Sequence, residues 1–140
     1  MTMGLESSAA AQFIYTKLAA DSALTAIVGS RIYDQEAPQN ATYPYVVFSF
    51  LSGVDLPVAG GGRLWSNMLF LVEAVGHVSS FGGNLGTAAA RIDAVLQASN
   101  GSVTDGTISA CVREENFRMV EELAGEQYRR IGGRYRIYAS

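Results

Sequence analysis

Histidine and cysteine are nearly missing from this chain of 140 residues, in which His77 and Cys111 occur once each. A lone cysteine has no internal disulfide partner, and one Cys with one His cannot supply the ligand sets of the usual zinc sites. Cys111 reads as a small buried hydrophobe. His77 reads as an ordinary strand-end residue. No serine has glycine two residues away on both sides, so the nucleophile elbow Gly-x-Ser-x-Gly is absent. No catalytic constellation, metal or cofactor is expected.

Charge is also scarce, at 16% of residues against about 25% in an ordinary soluble domain. A surface so poor in charge is expected to meet other protein. The formal net charge of -3 lacks the surplus of Lys and Arg that gripping nucleic-acid phosphates requires, while leaving room for a local basic patch. Long apolar runs are missing too. Met68 to Val75 is broken by Glu73 and is too short to cross a bilayer. The first eleven residues lack the basic start and apolar stretch of a signal peptide, so assembly in a cytoplasm is expected, with no membrane partner. The Asn-x-Ser/Thr matches at Asn40 and Asn100 therefore carry no weight as glycosylation sites.

What is present is a hydrophobic share of 49%, in a chain whose length fits one domain, residues 1–140, able to bury about 70% of its unfolded surface. Ala10, Phe13, Ile14 and Leu18 fall on one face at helical spacing, which predicts an amphipathic helix over Ser7 to Ala20. Asp21 is placed as the N-cap of a second, short helix carrying Leu24, Ile27 and Val28, with Gly29 as its stop. Arg31 to Asp34 reads as a short strand and Gln35 to Pro44 as a connecting loop.

From Tyr45 a β-branched and aromatic run predicts a strand with Val46, Phe48 and Phe50 on one side and Tyr45, Val47 and Leu51 on the other. Gly53 to Arg63, with Gly60, Gly61 and Gly62, reads as a long flexible loop. A second long strand follows over Leu64 to Gly76, setting Met68, Phe70 and Val72 against Trp65, Leu69 and Leu71. Leu85, Ala88, Ala89, Ile92, Val95 and Leu96 make a helical stripe ending near Asn100-Gly101. Two strands close the chain, about Thr107 to Phe117 and Tyr128 to Tyr138, separated by an acidic stretch around Glu121 to Glu126.

The order α-α-β-β-β-α-β-β implies an α+β domain, a mostly antiparallel sheet with helices packed on one face. One helix-covered face needs one apolar side per strand. The doubly apolar strands therefore need a second explanation, and a subunit interface is the simplest. Tyr45, Val47, Trp65 and the neighbouring Arg63 are its candidate residues.

The remaining polar features are of three kinds. Adjacent Glu114-Glu115 and Glu121-Glu122 resemble acid–base or metal pairs, but neighbours on a strand point to opposite faces. Gly82, Gly83 and Gly86 lie where a phosphate loop would sit, without the Lys-Ser/Thr or the Gly-x-Gly-x-x-Gly spacing that such a loop uses. Six of the ten Lys and Arg residues follow Cys111. In an unbroken strand, Arg130, Arg134 and Arg136 share one face while Ile131, Tyr135 and Ile137 line the other, unless Gly132-Gly133 bulges the strand. Three readings of this arginine row stay open: a solvated face beside the local glutamates, pairing with acids such as Glu121 and Glu122 of a neighbouring subunit, or contact with passing DNA.

One stretch, Leu18 to Gly53, resembles the opening of the tail-completion family of long-tailed phages and prophages, also described as tail terminators or head–tail joining proteins. The matching residues are Asp21, Leu24, Val28 and Gly29, then Arg31-Ile32-Tyr33, then Ala37-Pro38-Gln39, then Tyr43-Pro44-Tyr45-Val46-Val47-Phe48. The later long strand to Val75, the Ala-rich helix around Ile92 and the closing Arg134 to Ile137 strand look similar too. The resemblance implies a structural virion subunit forming a ring, typically of six copies, on the head-proximal end of the tail tube. Such a ring stops tube growth and meets the head connector or stopper, while DNA passes through its centre. The alternatives are a head-side adaptor or stopper, a small ligand-binding α+β domain, and a nucleic-acid-binding module.

Overall fold

The computed structural model describes residues 5–57, 59, 63–77, 84–123 and 125–140. Its elements are α1 (Glu6–Ala19), α2 (Ser22–Val28), β1 (Ile32–Asp34), β2 (Tyr45–Pro57), β3 (Arg63–His77), α3 (Asn84–Leu96), β4 (Ser99–Val103), β5 (Gly106–Leu123) and β6 (Glu126–Ala139). The fold is α+β. One mixed sheet runs in the order β1-β2-β3-β6-β5-β4, with β1 parallel to β2 and the other neighbours antiparallel.

The helix ends follow the local chemistry. Asp21 accepts from the Leu24 amide at 3.0 Å, which satisfies an amide that the first turn of α2 would leave unpaired. The same carboxylate takes the Arg91 guanidinium through both oxygens, at 3.0 and 2.7 Å, and so ties α2 to α3. This forked bond holds the Asp21 carboxyl below its usual range, more than burial raises it. Gly29 ends α2 at φ 62°, a left-handed value that glycine adopts without the Cβ clash.

Three expectations are corrected. Helix α3 stops at Leu96 instead of near Asn100-Gly101, because Ala98 turns to φ 59° and Ser99 Oγ donates to the Leu96 carbonyl at 2.6 Å. The chain then enters a further strand, β4, with Ala98 N bonded to Cys111 O at 2.8 Å. Next, Gly53 to Pro57 are strand instead of loop, carried past a bulge at Leu51 by pairing of Val54 with Asn67 and Leu56 with Trp65. Finally, β5 and β6 are longer than expected, so Glu121 and Glu122 are ladder residues opposite Tyr128 and Gln127. Residues 58, 60–62 and 78–83, including Gly82 and Gly83, lie outside the described residues.

The main core lies between the helices and one face of the sheet. Phe13, Ile14, Leu18, Leu85 and Ile92 meet Phe48, Phe70, Val72, Tyr135 and Ile137, all at most 2% exposed. Cys111 is within this core, where burial pushes its thiol up to about 12, so it stays protonated and inert at neutral pH. The opposite, open face carries Tyr45, Val47 and Val75 in a second cluster under Tyr33, Ala37, Ala41 and Tyr43. The connection from β1 to β2 is therefore a strap laid across part of that face.

Candidate interaction surface

The register decides which side chains share the open face. Between β3 and β6 it runs without a shift from Ser66↔Ala139 to His77↔Tyr128, so Gly132-Gly133 makes no bulge there. Leu69, Leu71 and Val75 of β3 stand beside Arg136, Arg134 and Arg130 of β6. The row of arginines predicted from the sequence is present. The irregularity falls on β5 instead, between Arg113 and Glu115, and it lets adjacent Glu114 and Glu115 reach the same side. Glu114 accepts from Arg136 Nε and Nη2 at 3.0 and 2.7 Å, and Glu115 pairs with Arg134 at 3.1 Å. The alternation rule for neighbouring strand residues gives way here because a bulge inserts one residue.

Arg130 is placed differently. It bridges Glu73 at 2.5 Å and Glu121 at 3.2 Å, and Glu73 is only 5% exposed. Burial pushes the Glu73 carboxyl above the usual glutamate range, against the pull of Arg130. Glu73 was legible as the residue that breaks an apolar strand, but its partner, 57 residues further on, was not. Beside this pair runs a ring cluster in which Tyr43 lies 5.3 Å from Tyr45, 5.1 Å from Tyr128 and 4.7 Å from His77. His77 thus packs among aromatic rings at a strand end. Under the strap a cleft of about 380 Å³ is lined by Gln39, Tyr43, Tyr45, Val47, Glu73 and Arg130, among others.

Of the residues expected at an interface, Tyr45 and Val47 are buried beneath the chain's own strap, at 9% and 7% exposure. Their apolar character is explained within the subunit. Arg130 and Glu121 bond to each other, Arg134 and Arg136 bond to Glu115 and Glu114, and Glu122 is exposed opposite Gln127. Trp65 stays 38% exposed near the outer end of the β2–β3 hairpin, with Leu51, Val54 and Leu56 also exposed. The Arg63 backbone pairs with Pro57, and its side chain lies outside the described residues. Sequence reasoning missed Val112, Met119 and Val120 of β5, which are 40–52% exposed. Among the described residues no three His, Cys, Asp or Glu come together as a metal site. No described helix is long and apolar enough to cross a membrane.

A surface of bonded ion pairs and exposed apolar strand residues, with no metal cluster among the described residues, is suited to protein contact. The family model for Tail completion protein gp17 matches residues 12–138. The chain belongs to that family. It is accordingly a structural protein of a phage-like tail, a virion component and not an enzyme. The fold is similar to a chain solved in the "Virion of native gene transfer agent (GTA) particle", at a TM-score of 0.76 and 20% identity, covering 98% of this chain and 99% of that one. A second solved chain, with no function in its description, matches at a TM-score of 0.52 and 11% identity over 92% and 95% of the two chains. No curated protein matches the sequence.

Proposed function

We propose that this tail-completion protein caps the head-proximal end of the tail tube as a closed homo-oligomeric ring, six copies in the reading favoured here. The ring stops tube growth on one side and joins the head connector or stopper on the other, with DNA passing through its centre. Membership of the tail-completion family over residues 12–138 is the observation that carries this reading. The open face agrees with it. Strand β3 offers Leu69, Leu71 and Trp65 there, while Arg130, Arg134 and Arg136 of β6 each already hold a carboxylate. An arginine row neutralised by its own chain suits DNA that passes without being gripped. Assembly would take place in the host bacterial cytoplasm, and the chain would act as one domain.

Electron microscopy of particles lacking this protein tests the proposal. Tails of uncontrolled length, or normal tails that fail to join heads, are the expected outcome. Intact infectious particles would sink it, and normal tails with the subunit still bound to tailless heads would favour a head-side adaptor.

A further inference from the structure

Each outer edge of the sheet is only half covered. On β2, strand β1 pairs with Val46 to Phe48 and the Gln35 side chain accepts from the Phe50 amide. On β5, strand β4 pairs as far as Cys111 and Gln97 accepts from the Arg113 amide. Among the described residues, no backbone hydrogen bond beyond these points reaches the outer edge of either strand. The bulges at Leu51 and Glu114 fall at the starts of the bare stretches, leaving Ser52–Leu56 and Glu115–Glu122 in regular register. Long regular edges with exposed apolar side chains invite strand addition, and folded proteins normally blunt them. Here Val54 is 69% exposed, Met119 50% and Val120 52%.

We infer that these two bare edges pair with each other between neighbouring copies, β2 of one subunit antiparallel to β5 of the next. The inference rests on the ring reading above and names its contact. The occupant is a second copy because the two stretches complement each other in one register. Setting Val54 against Met119 places Leu56 against Phe117 and Gly53 against Val120, and it brings Asp55 opposite Arg118. Opposite charges and apolar pairs directly across a ladder are the stabilising combinations. A slip of two residues sets Leu56 against Glu115, or Val54 against Glu121. Within its own subunit Asp55 accepts a hydrogen bond from Ser66 Oγ.

The stagger is set as well. Ser52–Leu56 lie level with residues 65–69 of β3, whereas the stretch 117–121 of β5 lies level, through β6, with residues 73–77. Joining them offsets successive copies by about eight positions, roughly 26 Å. A flush arrangement is blocked, because β1 occupies β2 at one level and β4 occupies β5 at the other. With the offset, each short strand falls beyond the end of the neighbour's long strand. Because the edges lie on opposite sides of the sheet, the contact is head-to-tail and can close into a ring, the offset being absorbed as tilt of the strands against the ring axis.

The test is a paired cysteine variant, Val54→Cys with Met119→Cys, carried into assembled particles and mildly oxidised. A ladder of covalent multimers is expected on denaturing gels, its top rung giving the copy number. The displaced pair Val54→Cys with Val112→Cys should stay monomeric. Dimers from Val54→Cys alone, or a link to a different virion protein, would overturn the inference. A visible ring without the Val54–Met119 link overturns the edge pairing and leaves the ring reading standing. Particles that never carry a ring defeat that reading itself. In parallel, Asp55→Arg and Arg118→Asp should each cut incorporation at least about tenfold, since facing like charges repel across an interface. The double exchange should restore most of it, and a double variant no better than the singles also refutes the pairing.

Discussion

Arg130 and Arg134 occupy the same face of the same strand, two pleat repeats apart, and meet different environments. Arg130 reaches under the strap to a carboxylate that is 5% exposed, whereas the side chains of Arg134 and Glu115 are 50% and 57% exposed. The same contrast holds on β2, where Tyr45 and Val47 are covered and Val54 and Leu56 are bare. The strap divides one sheet face into a half that behaves as core and a half that stays bare. Residue type and alternation are alike in both halves, so the role of each residue is set by what lies over it.

The comparison breaks most visibly at Tyr45. Its ring packs between Tyr33 at 5.7 Å and Tyr43 at 5.3 Å, so Tyr45→Ala removes the centre of the covered cluster. A loss of about 3 kcal/mol in unfolding free energy is expected, at the lower end for large buried aromatics because the site lies near the edge of the sheet. Val54→Ala, on the same strand but bare, should leave the monomer unchanged within about 0.5 kcal/mol. Denaturant unfolding of both variants measures the difference. Equal losses would mean that the strap does not create a core.

Next in size is Arg130→Met, which strands Glu73 in the covered half. Removing one partner of a buried pair costs about 3 kcal/mol, and the partial exposure of Arg130 points to somewhat less. The effect carries a pH signature. Glu73 already has its folded-state value raised by burial, and loss of the guanidinium raises it further. Stability tied to a raised carboxyl is fully present below the unfolded value and is lost as pH rises through the folded one. The variant should therefore be weakest relative to wild type at neutral pH, and the deficit should shrink on acidification through the mildly acidic range. A deficit independent of pH would show that packing of the arginine stem, and not the stranded charge, is responsible.

The division of the face was only partly legible in the sequence. Alternation along Tyr45 to Leu51 and Trp65 to Val75 identified both sides of β2 and β3 as apolar, and the arginine spacing placed three residues on one side of β6. Asp21 and Gly29 marked the ends of α2 because capping is local chemistry. The strap was hidden because Gln35 to Pro44 has the composition of a loop, and nothing local says that Tyr43 will turn back over Tyr45 and Tyr128. The pairing of Glu114 with Arg136 was hidden for a related reason. It depends on a bulge that only the register of β5 against β6 reveals.

The smallest effect is expected where the bare half carries its charges. Arg134→Met and Arg136→Met each remove an ion pair open to solvent, and such pairs contribute about 0–1 kcal/mol. Arg136, which also donates to Asn67 Oδ1 at 3.0 Å, should lie toward the upper end of that range. Methionine keeps much of the apolar stem beside the register partners Leu71 and Leu69. If the bare half meets other protein in the particle, these substitutions should lower incorporation into virions by more than they lower monomer stability. Measuring both on the same variants separates a surface that is merely solvated from one that is used.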